Sequence, residues 1–174
     1  MRLSNIFAAI LLCATTLTLP PARAATRPSQ KARARAQAPA PQTEITKEKV
    51  EAIVSELETA AKKKDVAVIN AYLAPDMKYV SQMGDKPPLQ LNRAQYAEVL
   101  KRGLEVALDY VYLRKSLTVT IAPDGQSATA HTETFEMITT AQGTIAGNVV
   151  ALTTFKIYKG KILIASMEAE GTPV

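Results

Sequence analysis

The hydrophobic period of this chain changes near residue 109, and that change restricts the fold more than any single motif. Before it, apolar residues recur at helical spacing. Val50, Ile53, Val54, Leu57 and Ala61 do so in "KEKVEAIVSELETAAKKKD", and Tyr96, Leu100, Leu104 and Leu108 in "NRAQYAEVLKRGLEVAL". After it, residues 110–121, 127–139, 145–158 and 161–169 read as strands. Turn signals separate them: "PDG" at 123–125, "AQG" at 141–143 and "KG" at 159–160. Helices first and a meander after them predict an α+β domain, with helices packed on one face of an antiparallel sheet.

Local signals place the element ends. Thr46 is positioned to cap the first helix, whose last turn meets Lys62–Lys64 at the negative end of its dipole. Asp65 caps a short second helix, "VAVINAYL", which Pro75 stops. "MKYVSQM" reads as a strand and "GDKPPLQL" as a loop broken by two prolines. Asn92, with Gln95 three residues later, forms a capping box for the third helix.

The N-terminal stretch has the composition of an export signal. Arg2 is the positive residue, "IFAAILLCATTLTL" is the apolar run, and "ARA" at 22–24 supplies small residues for cleavage. The run is short for a bilayer span, and no later stretch matches its length, so the expectation is cleavage near Ala24 and a periplasmic or secreted protein. An uncleaved anchor is the rival. Leu12 stands before Cys13 where a lipoprotein needs a small residue. Cleavage would remove Cys13, the only cysteine, leaving no disulfide or thiolate. Residues 25–43, "ATRPSQKARARAQAPAPQT", carry Arg27, Lys31, Arg33 and Arg35 without an acid, and read as a disordered basic linker. Six of the 21 basic residues precede Glu44, leaving 15 against 16 acidic ones in residues 44–174. The folded part is therefore nearly neutral, which argues against a nucleic-acid partner. About 130 residues are enough for a single domain with its own core.

The order of helix, helix, "YLAPDMKYV", loop, capped helix and four long strands ending "FKIYKGKILIAS" resembles the nuclear-transport-factor-2-like superfamily, and within it the SnoaL-like branch. The resemblance spans residues 45–170. It implies a cystatin-like fold in which a cone-shaped, curved antiparallel sheet wraps around three N-terminal helices and encloses a pocket. It also implies a homodimer formed through the outer sheet face. The family often has Trp after "KGK", where this chain has Ile162.

Hairpin arithmetic then assigns faces, because directly opposed residues share one. A two-residue turn at Lys159–Gly160 opposes Ile157 to Ile162, Phe155 to Ile164, Thr153 to Ser166 and Ala151 to Glu168. Three-residue turns at "PDG" and "AQG" oppose His131 to Leu117 and Thr153, and Glu133 to Ala151. The three hairpins agree on a concave set of His131, Glu133, Thr153, Ser166 and Glu168, with Phe135, Phe155 and Ile164 beneath. A one-residue slip would reverse every such assignment. The other face holds Leu152, Leu163 and Met167, apolar enough to suggest a partner.

A His beside a Glu in a half-apolar cone suits proton transfer, whereas the same pair at an open sheet end is equally a solvated polar couple. The candidate ligand-binding residues are His131, Glu133, Thr153, Ser166, Glu168, Phe155 and Tyr79, with His131 the candidate catalytic base. Tyr72, Tyr79 and Tyr96 also suit plain core packing. The ketosteroid-isomerase pattern of the superfamily needs a tyrosine and two aspartates, and the limonene-epoxide-hydrolase pattern an Asp-Arg-Asp set. Neither maps onto Tyr72, Tyr79, Asp109 or Arg114 residue by residue. No metal site and no cofactor are expected: one His with two carboxylates is an unspecific donor set, and no Gly-rich phosphate loop is present. The expected function is an exported domain that holds a small, mainly apolar molecule in the cone. The alternatives are an isomerase- or dehydratase-like enzyme using His131, and an assembly module of the cell envelope.

Overall fold

The computed structural model describes residues 44–174, so the expected export signal and basic linker lie outside the described residues. The chain enters through Ile45, which is 1% exposed and donates its backbone N–H to the Gly125 carbonyl at 2.8 Å. Gly125 has φ +64°, and a Cβ there would sit 2.7 Å from Cγ of Glu44. The positive φ is what favours glycine at this crossing, since the exposed Glu44 side chain can move aside.

Helix α1 (Lys47–Lys62) starts at Thr46, whose hydroxyl accepts from the Lys49 N–H. Its apolar stripe puts Val50, Ile53 and Val54 into the core. Helix α2 (Val66–Ala71) is capped by Asp65, and α3 (Arg93–Val106) carries the full Asn92–Gln95 capping box. Leu108 does not extend the third helical stripe. Helix α3 ends at Val106, the Leu108 N–H bonds to Thr139 in the sheet, and its side chain is 70% exposed. The Lys64 ammonium bonds to the Ala107 carbonyl and ties this helix end to the end of α1.

The strands are β1 (Leu73–Met83), β2 (Leu89–Asn92), β3 (Asp109–Ile121), β4 (Ser127–Thr140), β5 (Gly143–Tyr158) and β6 (Lys161–Pro173). Part of the segment read as a proline-broken loop is thus strand β2, which pairs with β1 at the sheet edge. The sheet order is β2-β1-β6-β5-β4-β3. This sheet is mixed rather than antiparallel throughout, because β1 and β6 run parallel. The reason is the path of the chain. Helix α3 carries it from one edge to the other, and the four-strand meander β3 to β6 returns it beside β1. Register shifts at Arg114/Ser116 in β3 and at Thr154/Phe155 in the β5–β6 pair mark bulges, which bend and twist the strands that carry them. The core lies between the helices and one face of this sheet, centred on Val50, Met77, Phe155 and Ile164.

Candidate functional site

Strand β4 decides which side chains face the helices. Ala128, Ala130, Thr132 and Thr134 are buried, whereas His131 and Glu133 between them are exposed. The alternation is that of a strand with one covered face, and its phase is opposite to the expected one. Two turns set that phase. The Ala122 N–H donates the closing hydrogen bond to the Ser127 carbonyl, so the β3–β4 loop holds four residues, 123–126, rather than three. Thr140 pairs with Gly143, so the β4–β5 turn is Ala141–Gln142 rather than 141–143. Each loop differs by one residue from its expected length, and the two differences act in the same sense, each reversing the expected face of β4. His131 is therefore opposite Thr118 and Leu152, and Glu133 opposite Ser116 and Val150, all on the outer face.

The β5–β6 turn is the expected Lys159–Gly160 pair, with Phe155 opposite Ile164 and Ile157 opposite Ile162. Phe155 and Thr153 accordingly face inward, as anticipated. Beyond Ile164 the bulge shifts the register by one. Met167 and Ala169 then face inward, and Ser166 and Glu168 lie opposite Thr154 and Leu152 on the outer face. Phe135, expected beneath the pocket, is opposite Leu113 on the outer face.

Between the inner sheet face and the helices lies a cavity of about 210 Å³. Tyr79, Thr153 and Phe155 line it; His131, Glu133, Ser166 and Glu168 do not. A cavity of ~150 Å³ lined by aliphatic and aromatic groups takes up a benzene molecule, so the space here admits a ligand of one ring. The helical wall is mainly apolar, with Leu57 from α1 and Leu100 and Leu104 from α3, and Glu58 is its one charged residue. The sheet wall carries most of the polar groups, chief among them Glu136, Thr132 and Thr134.

Glu136 is the chemically distinctive residue and lies in phase with Thr132, Thr134 and Ile138 on β4. Its side chain is partly buried and lines the cavity. The Tyr110 hydroxyl donates to its Oε2 at 3.0 Å, and the Thr134 hydroxyl donates to its Oε1 at 3.2 Å. Burial pushes the carboxyl above the ordinary range, and these two hydrogen bonds offset part of that rise. Burial also raises the hydroxyls of Tyr79, Tyr96, Tyr110 and Tyr112, with the Glu136 charge adding to each. The tyrosines thus stay protonated as donors. The rings of Tyr79 and Tyr96 stand 4.8 Å apart and those of Tyr110 and Tyr112 6.4 Å apart.

A second carboxylate, Glu58 of α1, lies at the cavity wall. Lys62 holds it at 3.0 Å, and Arg114 Nη2 approaches to 3.7 Å. The other Arg114 nitrogen, Nη1, is buried without a hydrogen-bond partner among the described residues. No group of three or more His, Cys, Asp or Glu side chains among the described residues is arranged to hold a metal ion.

Glu136, Tyr110 and Tyr112 were not singled out from the sequence. The signal that finds them is the pair of alanines at 128 and 130. Small residues on a long strand mark the face against which helices pack, and the same phase leads to Glu136.

No protein-family model matches the chain, and no curated protein matches it in sequence. Solved structures do match in shape. A nuclear-transport-factor-2-like protein of unknown function from Pseudomonas putida KT2440 shares 15% identity, with 71% of this chain and 84% of that one covered, at TM-score 0.59. An uncharacterised protein with a cystatin-like fold from Caulobacter vibrioides shares 17% identity over 72% and 87% of the two chains, at TM-score 0.57. The hexachlorocyclohexane dehydrochlorinase LinA-type3 from Novosphingobium barchaimii LL02 shares 8% identity over 72% and 87%, at TM-score 0.57. At such identities the likeness establishes architecture: this chain has the nuclear-transport-factor-2-like, cystatin-like fold.

Proposed function

We propose that the domain binds a small, mainly apolar molecule in the cavity between helices and sheet, with Glu136 as its polar anchor. The observation that carries this reading is one buried carboxyl, held by Tyr110 and Thr134, facing an otherwise largely apolar space. Few polar groups in an apolar concavity are the usual composition of a ligand site. The test is a native mass spectrum of the purified protein beside that of Leu100→Trp, whose larger ring would fill the cavity from α3. The reading expects a retained organic mass in the wild type that the variant lacks. A retained mass that survives the substitution would place the ligand elsewhere.

A second reading, proton-transfer catalysis, is supported by the same carboxyl. A group whose affinity for its proton is raised by burial suits general acid–base chemistry near neutral pH, and one structural neighbour is a dehydrochlorinase. In that reading Glu136 replaces His131 as the proton-handling residue, because His131 lies on the far side of the sheet from the cavity.

Two parts of the proposal rest on other features. Export is supported by Arg2, the apolar run after it and Ala22–Ala24, and N-terminal sequencing of the mature protein tests it. Self-association through the outer face is supported by Leu113, Val150 and Leu152, which are 54%, 41% and 41% exposed there. Light scattering should give a dimer mass that Leu152→Lys halves. A monomer mass for both proteins would remove this part of the proposal. No helix among the described residues is long and apolar enough to cross a membrane.

A further inference from the structure

The polar lining of the cavity has one electrical sign. It contains two carboxyl groups, Glu58 and Glu136, and four tyrosine rings, with no Lys, Arg or His among the described lining residues. Glu58 is already matched by Lys62 and Arg114. Glu136 is different, because both groups that donate to it are neutral hydroxyls. The rings come from three separate elements: Tyr79 from β1, Tyr96 from α3, and Tyr110 and Tyr112 from β3. Aromatic faces carry the negative end of a quadrupole, and several rings around one space form a recurrent cage for organic cations.

Three ligand classes can be weighed against this lining. An anion would meet a carboxyl group and four ring quadrupoles with no free cation to receive it. A neutral molecule would take one hydrogen bond from Glu136 and leave the negative ring faces without a partner of opposite sign. A cation satisfies the carboxylate and the ring faces together.

We propose that the cavity selects a protonated organic amine, with its ammonium group against Glu136 and the tyrosine rings and a ring-sized apolar body against Leu57, Leu100 and Leu104. The inference rests on the ligand-binding reading above and specifies its ligand class. The proton count closes in either direction. A neutral amine takes the Glu136 proton and forms the ion pair, whereas an amine that arrives protonated displaces that proton to solvent.

Isothermal titration of the full chain at pH 7 with benzylamine, benzyl alcohol and benzoate tests it, since the three probes share a ring and differ in charge. Benzylamine should bind about tenfold tighter than benzyl alcohol or more, with benzoate weakest. Glu136→Gln should remove that preference, bringing benzylamine to within about twofold of benzyl alcohol in the same variant. If the variant does not fold, the wild-type ranking of the three probes decides alone. Benzyl alcohol binding as tightly as benzylamine would overturn the amine inference and leave the ligand-binding reading standing. Absence of binding by all three probes would overturn both.

Discussion

Tyr110 reaches diagonally across the β3–β4 ladder and donates a 3.0 Å hydrogen bond to Glu136, although the residue directly opposite Glu136 is Tyr112. The diagonal reach lets two adjacent inward positions of β3 place tyrosines near one carboxyl. Tyr110→Phe would delete the donor and leave the ring. The expected loss is about 1–2 kcal/mol in urea unfolding, the range for one hydrogen bond to a buried acidic group. The same change should raise the Glu136 carboxyl further, since this bond is what lowers it most. An unchanged unfolding midpoint together with an unchanged titration would contradict the assigned bond.

The pH dependence of stability follows from the direction of the Glu136 shift. Burial raises the folded carboxyl above its unfolded value of about 4.3. The native state then keeps a proton that the unfolded chain releases. The stabilisation is complete below about pH 4.3 and is lost as pH rises through the folded value. Glu136→Gln cannot ionise, so the wild type should lose stability relative to it between pH 4 and pH 8. The gap should be about 1.4 kcal/mol for each unit of elevation. Denaturant unfolding of both proteins across that range gives the comparison. A gap that is flat, or that opens as pH falls, would show that the carboxyl is not raised.

His131 stands on the outer face opposite Leu152, and the described hydrogen bonds and ion pairs give its ring no specific partner in the fold. His131→Ala should therefore change stability by no more than about 0.5 kcal/mol, as for other exposed positions without such a role. It should also leave benzyl alcohol affinity unaltered. Weakened binding in this variant, with the fold intact by circular dichroism, would return His131 to the site.

The helices were legible because their signals are local. Thr46, Asp65 and Asn92 cap the helices where the sequence places them, each through a bond to a backbone N–H three residues on. The Lys159–Gly160 turn was legible for a similar reason. Both residues have positive φ, the geometry of a two-residue hairpin turn, so the pairing that puts Phe155 opposite Ile164 follows. The candidate site was less legible because a sheet face depends on the parity of every connection before it. Gln126 joins the "PDG" loop through its N–H to Asp124, and Gly143 joins strand β5, each a one-residue difference. The bulge after Ile164 has no glycine or proline to announce it. Strand β2 was missed because four residues are too few to show a period. The parallel β1–β6 pair depends on where the meander ends, which no local motif reports.

The cavity face of β4 carries Thr132, Thr134 and Glu136, whereas His131 and Glu133 lie on the other face. The most direct test is a chemical-shift map of isotopically labelled protein titrated with benzyl alcohol, a probe that does not depend on the amine inference. Saturable perturbations should appear at Glu136, Thr132, Thr134 and Tyr110, with His131, Glu133 and Glu168 unmoved. Perturbations concentrated on His131, Glu133 and Glu168, or none at the inward residues at saturating probe, would contradict the assignment.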